Sequence, residues 1–398
     1  MTPLPNTLND PTTLDVIVLL REPILDRVPN LKQLVDWLAQ RGHRVHVLTT
    51  RNQTFPVAHF ESANVAMHVL PERSRRWETP TLPHFLFQSV RLVRKIRKNS
   101  HAAVLIAGGR GALTIVPILS KLGGGRYFAH VVEYPSVCEP PPYRATLSDR
   151  LEARGICKAE AMIVHDNLHA DVIARSLRKA PSHLTLPNAS PGRSDSDLRH
   201  DLHRRLELQP STRILLHSGG FGNWFSSAEV AGISGQIPAD YRLVFHVSHD
   251  ITRDDYYVRY LQSRSVTDRS LFSLSPVDAD ALNDLVSSAR VGLAWYNPQH
   301  LTFRAKMMGL AAGKIGQYLK CGLPVIASRL ESLNYLEEHE AGVLVDDVSD
   351  IPAALVRIES DYARFRDNAL RCYLELWEPS AHLIRIEEAL FKAATASG

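Results

Sequence analysis

The chain is poor in cysteine. It has four in 398 residues: Cys138, Cys157, Cys321 and Cys372. None stands in a Cys-x-x-Cys or other close ligand spacing, which argues against a zinc site and against a disulfide framework. A reducing cytoplasm is the expected setting. Excess charge is lacking too. With 46 Lys and Arg against 42 Asp and Glu, the formal charge is +4. That is well short of the basic balance that points to a nucleic-acid partner, and none is expected. Long apolar runs are also missing. No window approaches the roughly 18 apolar residues of a membrane span, so any membrane contact would be peripheral. The N-terminal stretch Met1 to Thr13 is polar and Pro-rich, with no basic start and no apolar centre, and does not read as a signal peptide.

What remains is an ordinary globular composition, 44% hydrophobic and 22% charged. At roughly 150 residues per domain the length allows two or three domains. Short apolar runs alternate with helical periodicity. Leu14–Leu20 reads as a strand buried on both faces. A helix over 31–41 follows, with Leu31, Leu34, Val35 and Leu38 as its stripe and Gly42 as its stop. Arg44–Thr50 is the next strand. Strands are then expected at 65–70, 102–107, 126–132, 161–164 and 183–186, with helices at 84–98, 112–122, 147–158 and 168–177. The polar stretch 189–211 is the best boundary. Beyond it the alternation restarts, with strands at 213–217, 241–247, 271–274, 291–294, 324–327 and 342–345. Helices are expected at 227–233, 256–263, 279–288, 314–320, 333–339, 351–360 and 362–376, and a last one at 381–394. Two consecutive doubly wound α/β domains are the natural reading.

The most informative segment is Gly313-Lys-Ile-Gly-Gln-Tyr-Leu-Lys-Cys-Gly-Leu-Pro-Val-Ile-Ala327. A glycine-containing loop opens a helix, a glycine stops it, and a buried strand follows. The helix start offers unpaired N–H groups and about half a positive charge, and Lys314 adds a full one, which makes an anion site. Gly309 and Gly313 would let a ligand approach the backbone closely. The plain alternative is a helix start with a solvent-facing lysine.

In the N-terminal half, His130-Val-Val-Glu133 ends a strand, where ligands of open α/β sheets bind. Gly108-Gly-Arg-Gly111 and His165-Asp166 follow strands at the same edge. The helix 84–98 carries Arg91, Arg94, Lys95, Arg97 and Lys98 with no acidic residue. Its apolar side would be Phe85, Leu86, Val90, Val93 and Ile96. It is either a solvated basic face or a patch for an anionic membrane surface.

The segment Cys321-Gly-Leu-Pro-Val-Ile-Ala327 resembles the donor-binding region of GT-B glycosyltransferases, in particular the family-4-like (group 1) ones. The likeness extends to Ser288-Ala-Arg-Val-Gly-Leu-Ala-Trp-Tyr296 and to Gly342-Val-Leu-Val345, and covers residues 212–376. It implies a GT-B fold, two Rossmann-like doubly wound domains facing across a cleft. The implied division is an acceptor-binding domain over 1–190, a nucleotide-sugar donor domain over 191–378, and a C-terminal helix over 379–398 that crosses back. The implied activity is transfer of a sugar from a nucleotide-diphosphate sugar to a saccharide, lipid-linked or small-molecule acceptor. By the same resemblance the reaction is retaining and independent of metal, with the donor as substrate and no cofactor. A cytoplasmic enzyme is expected, at the inner membrane face if the basic helix binds there.

The expected donor residues are Gly219, Gly220, Gly222 and Asn223 after the first strand of the second half, Pro276 and Val277 near the base, and Tyr296. Arg304, Lys306, Gly309, Leu310, Ala311, Ala312, Gly313, Lys314 and Gln317 complete the set. Lys314 would steady the leaving diphosphate. In an inverting enzyme, His130 or Glu133 would be the base. The pattern is also departed from. Relatives often carry two acidic residues across the donor loop, where this chain has Gly309 and Gln317. A glutamine can still accept from a ribose hydroxyl, without charge. The usual basic pair after the first strand is replaced by Gly219-Gly-Phe-Gly-Asn-Trp224. These departures keep two other readings open: a nucleotide-sugar hydrolase or epimerase, and a non-catalytic nucleotide-sugar-binding subunit.

Overall fold

The computed structural model describes residues 13–51, 57–71, 81–100, 102–123, 125–190, 192 and 194–396, apart from the side chains of 279 and 280. Except for Thr13, the polar N-terminal stretch lies outside the described residues. The chain forms two compact units, Met1–Pro187 with Pro379–Gly398, and Asn188–Glu378.

The first unit is a seven-stranded parallel sheet. Its strands are β1 (Asp15–Leu20), β2 (Arg44–Thr50), β3 (Val65–Leu70), β4 (Ala103–Gly108), β5 (Tyr127–His130), β6 (Ala161–Val164) and β7 (Ser182–Thr185). Their order is β3-β2-β1-β4-β5-β6-β7. The helices between them are α1 (Pro29–Gln40), α2 (Leu82–Arg97), α3 (Gly109–Gly123), α4 (Leu147–Cys157) and α5 (Asn167–Ser176). All six residues of β1 are buried, as a central strand covered on both faces requires. α1 begins on Pro29, whose ring presets the helical φ, and buries Leu31, Leu34, Val35 and Leu38. Gly42, at φ +89°, then turns the chain into β2. α3 starts at Gly109, three residues earlier than periodicity alone suggests, so Gly109-Arg110-Gly111 is its first turn.

The second unit is a six-stranded parallel sheet, ordered β10-β9-β8-β11-β12-β13. These strands are β8 (Arg213–Ser218), β9 (Tyr241–His246), β10 (Ser270–Ser273), β11 (Val291–Ala294), β12 (Val325–Ser328) and β13 (Gly342–Val345). Its helices are α6 (Asp201–Arg205), α7 (Ser227–Gly232), α8 (Tyr256–Arg264), α9 (Ala279–Val286), α10 (Phe303–Lys306), α11 (Gly313–Lys320), α12 (Tyr335–Glu338), α13 (Ile351–Glu359) and α14 (Tyr362–Cys372). In both sheets the strand order reverses beside the first strand, between β1 and β4 and between β8 and β11. Ligands of such sheets bind at the carboxyl ends of the strands at that reversal.

The polar stretch 189–211 is not a free linker. It contains α6, and Ala189 and Leu202 are buried in the core of the second unit. Two apolar anchors outweigh its polar composition. The last helix, α15 (Ser380–Thr395), belongs to the first unit. Leu383, Ile386 and Leu390 join that unit's core. Glu387 accepts from Trp37 Nε1 and Arg41 Nε, both at 3.1 Å, and lies 3.0 Å from His43 Nε2.

Candidate functional site

A cavity of about 370 Å³ opens in the second unit, at the carboxyl ends of β8 and β9 and the start of α11. Its wall comes from four places. Ser218 ends β8 and Gly219 follows it. His246 ends β9, and Val247 and Ser248 follow it. Pro276, Val277 and Leu282 lead into and along α9. Gly313, Lys314, Gln317 and Tyr318 come from α11, with Ser190 at the rim. None of these lining residues is acidic.

Gly219 has φ +118°, a conformation that favours glycine, and its N–H donates to His246 O at 2.9 Å. The backbone just before it is held by a side chain. Ser218 N–H donates to the Tyr318 hydroxyl at 2.8 Å, and that hydroxyl donates to Leu216 O at 3.0 Å. Tyr318 fits because residue 292 is glycine: a Cβ there would stand 2.4 Å from the tyrosine ring. So a strand glycine, a helix tyrosine and a loop backbone form one support.

Lys314 stands in the first turn of α11, where no side chain caps the backbone N–H groups. Its stem is half-buried, but its Nζ is sealed and has no hydrogen-bond partner. The ammonium lies 4.4 Å from the centroid of the Phe225 ring and 5.8 Å from that of Tyr296. Burial without a counter-charge lowers its pKa from 10.5 to about 7. His217, buried beneath the loop, bonds to Gly220 O through Nε2 at 3.1 Å, and its Nδ1 has no partner. Burial, and then the Lys314 charge, hold its pKa well below 6.5. His246 is pulled to about 4, mainly by burial.

Gln317 is buried. It donates from Nε2 to Asn283 Oδ1 at 2.7 Å, which orients the amide. Lys320 is fully buried, and its ammonium donates to Ser190 O at 3.2 Å. That contact ties the rim to α11.

Of the expected donor residues, Gly219, Pro276, Val277, Gly313, Lys314 and Gln317 line this cavity. Gly220, Gly222, Asn223, Tyr296, Arg304, Lys306, Gly309, Leu310, Ala311 and Ala312 do not. Several of these act from behind. Tyr296 completes the aromatic surround of Lys314. Gly222 N–H donates to Ser227 Oγ at 3.2 Å and shapes the turn, while Asn223 is exposed. Asn188 N–H donates to Leu310 O at 3.0 Å, and its Nδ2 to Ala311 O at 3.3 Å, so this backbone anchors the segment before Ser190. Lys306 is exposed on the four-residue helix α10, with Arg304 beside it. Of these three basic residues, Lys314 is the one that lines the cavity. Ser190, Ser218, His246, Val247, Ser248, Leu282 and Tyr318 escaped the sequence reading. The signal that could have found four of them is their place at or just after β8 and β9.

In the first unit His130 ends β5 but is only 1% exposed. Its Nδ1 has no partner, and burial lowers its pKa to about 3. It lies in a buried histidine cluster with His165 and His169. Those two rings stack at 5.3 Å, and Tyr134 packs on His169 at 4.2 Å. His165 is tied to Val132 O at 2.8 Å and lies 3.3 Å from the Asn30 amide. A ring so placed is neutral near pH 7 and closed to solvent, a poor setting for a general base. Glu133, three residues on, is exposed.

Gly109 and Gly111 seat the carboxylate of Glu22, which accepts from Gly111 N–H at 2.8 Å. On α2 the outward residues are Phe87, 62% exposed, with Val90, Arg91, Arg94 and Lys95, and Lys98 follows at the C-cap. Val90 therefore stands on the basic side rather than in the core. Arg97 turns inward, donating to Gly123 O at 2.8 Å. Among the described residues, no group of three His, Cys, Asp or Glu is placed to hold a metal, and no helix is long and apolar enough to cross a membrane.

Two parallel-sheet α/β units of this kind define the GT-B glycosyltransferase fold. Within it, residues 245–376 match the family model described as Glucosyltransferase 3-like, C-terminal domain. Solved structures with the same fold include the sucrose-phosphate synthase of Thermosynechococcus elongatus. It has a TM-score of 0.72 and 19% identity, over 97% of this chain and 100% of that one. The Anabaena HepE protein in complex with UDP and glucose has a TM-score of 0.67 and 13% identity, over 95% and 99%. The E. coli structure described as trehalose-6-phosphate bound with UDP-2-fluoro glucose has 0.63 and 12%, over 95% and 99%. No curated protein matches this chain in sequence.

Proposed function

We propose that the protein is a glycosyltransferase that takes a sugar from a uridine-diphosphate sugar held in the cavity of the second unit. The observation that carries this reading is the sealed, unpartnered Lys314 Nζ at an uncapped helix start, in a cavity lined by no carboxylate among the described residues. Such a site is short of one anion. The relatives described with UDP and UDP-sugars favour uridine as the base.

The diphosphate lies between Gly219 and the start of α11. As the bond to the sugar breaks, negative charge grows on the departing phosphate. Lys314 and the α11 N–H groups stabilise that charge without having to reorganise. The charge a divalent metal could supply comes here from the lysine and the helix start, so the reaction is metal-independent. The neutral, closed His130 supports a retaining course, which asks for no strong base from the first unit. Gln317, oriented by Asn283, accepts from a ribose hydroxyl.

The first unit holds the acceptor, a saccharide or a lipid-linked one. The outward basic face of α2, with Phe87 at its edge, rests on an anionic membrane surface at the cytoplasmic face.

Calorimetry with UDP, GDP and ADP tests the donor site. UDP should bind, and more tightly than the other two. Failure of all three to bind would remove the reading. For the membrane contact, the measurement is binding to vesicles with and without anionic lipid, and equal binding to both would sink it.

A further inference from the structure

Among the described residues, none that lines the cavity carries a charge to neutralise its lysine. Lys314 Nζ is sealed, makes no hydrogen bond, and faces the rings of Phe225 and Tyr296. Among the described residues, the ionisable groups around it offer no negative charge. His217 on β8 is fully buried and neutral, and a charge on Lys314 makes it still harder to protonate, so it offers no counter-charge. His246, at the end of β9, lines the same cavity and is neutral near pH 7. Tyr318, one turn along α11, has its hydroxyl engaged with Ser218 and Leu216. Burial raises the pKa of both Tyr318 and Tyr296, so both stay protonated. An aromatic surround stabilises a cation only modestly. It does not replace a carboxylate.

We propose that Lys314 takes up a proton from solvent as the donor's diphosphate binds, so that this site gains its positive charge together with its ligand. This deepens the nucleotide-sugar reading and rests on it. The balance is simple. A neutral amine and one solvent proton become an ammonium, which is held in the complex by the diphosphate oxygens. No other bond changes. The direction agrees with the lowering of the Lys314 pKa to about 7 by burial. A bound anion opposes that lowering.

The test is calorimetry of UDP binding to the full chain at pH 8, in buffers of different ionisation enthalpy. At that pH the terminal phosphate, whose second pKa is about 6, is already ionised and takes up no proton of its own. The wild type should take up close to one proton per UDP. Its Kd should rise up to about tenfold between pH 8 and pH 9. Lys314→Arg is charged throughout this range and should bind UDP without uptake and with a nearly flat Kd. Lys314→Met should bind more weakly, also without uptake, and serves as the zero reference if the arginine does not fit. UDP binding by the wild type without uptake would overturn the inference and leave the nucleotide reading standing. Uptake equal in wild type and Lys314→Met would overturn it too, assigning the proton to His217 or His246. Failure of UDP, GDP and ADP to bind at any pH would overturn both.

Discussion

Gln317 donates its amide hydrogen to the side-chain carbonyl of Asn283 at 2.7 Å, linking α11 to α9 beneath the cavity. Relatives of this fold often carry a carboxylate at the Gln317 position. A carboxylate is an acceptor only and could not make this bond to a carbonyl. The amide nitrogen thus ties the two helices together at the cavity wall.

Gln317→Leu should therefore lower the stability of the second unit. It removes one hydrogen bond of the half-buried Asn283 side chain, at a cost of about 0.5–1.5 kcal/mol. Denaturant midpoints measure this. An unchanged midpoint would mean that the pair contributes nothing.

Tyr318→Phe removes the hydroxyl that holds Ser218 N–H and Leu216 O. The fold should survive, because the ring still packs against Gly292. The loop at Gly219 should loosen, and UDP affinity should fall by roughly tenfold, the size of one lost hydrogen bond. The readout is Kd by calorimetry alongside an unchanged circular dichroism spectrum. Equal affinity would take the tyrosine out of the support.

Lys314→Met should stabilise the empty protein below neutral pH. The lysine's folded pKa is about 7 and its unfolded value 10.5. Between these values the unfolded chain holds a proton that the folded chain does not, so wild-type stability rises with pH. The advantage of methionine should be on the order of 1–3 kcal/mol near pH 6 and shrink towards pH 10.5. Melting curves across that range check the slope. A methionine variant that is less stable at pH 6 would contradict the account.

The buried histidines of the first unit should make it acid-labile. His130, His165 and His169 all have folded pKa values below the unfolded value of 6.5, His130 at about 3. Above pH 6.5 they cost nothing by titration. Below it the unfolded chain takes up protons that the folded one refuses, and stability falls by up to about 1.4 kcal/mol per pH unit for each ring. His130→Leu should flatten that slope between pH 6.5 and 4, as followed by denaturant midpoints. A slope identical to wild type would exclude His130.

Much of this architecture was readable in the chain itself. Buried strands such as Val291–Ala294 and Gly342–Val345 carry unbroken apolar runs, and α1 carries its stripe, its proline and its glycine. Those are local signals, set by backbone preference and by which residues leave water. The glycine-lysine helix start was readable for the same reason, since an uncapped first turn beside a lysine is a property of a few consecutive residues.

What the sequence could not determine is which residues meet across elements. The parallel register brings Ser218, His246 and Ser273 to one edge, with Pro276 in the loop that follows. Tyr318 reaches Ser218 only because Gly292, on another strand, leaves room for its ring. Arg304 and Lys306, equally basic on paper, stand outside the cavity wall on a separate short helix. His130, well placed at a strand end, is buried in a cluster with His165 and His169. Whether a lysine carries a charge, or a histidine can reach one, depends on the water and counter-charges left around it. Packing between distant parts of the chain sets those, and no local pattern encodes them.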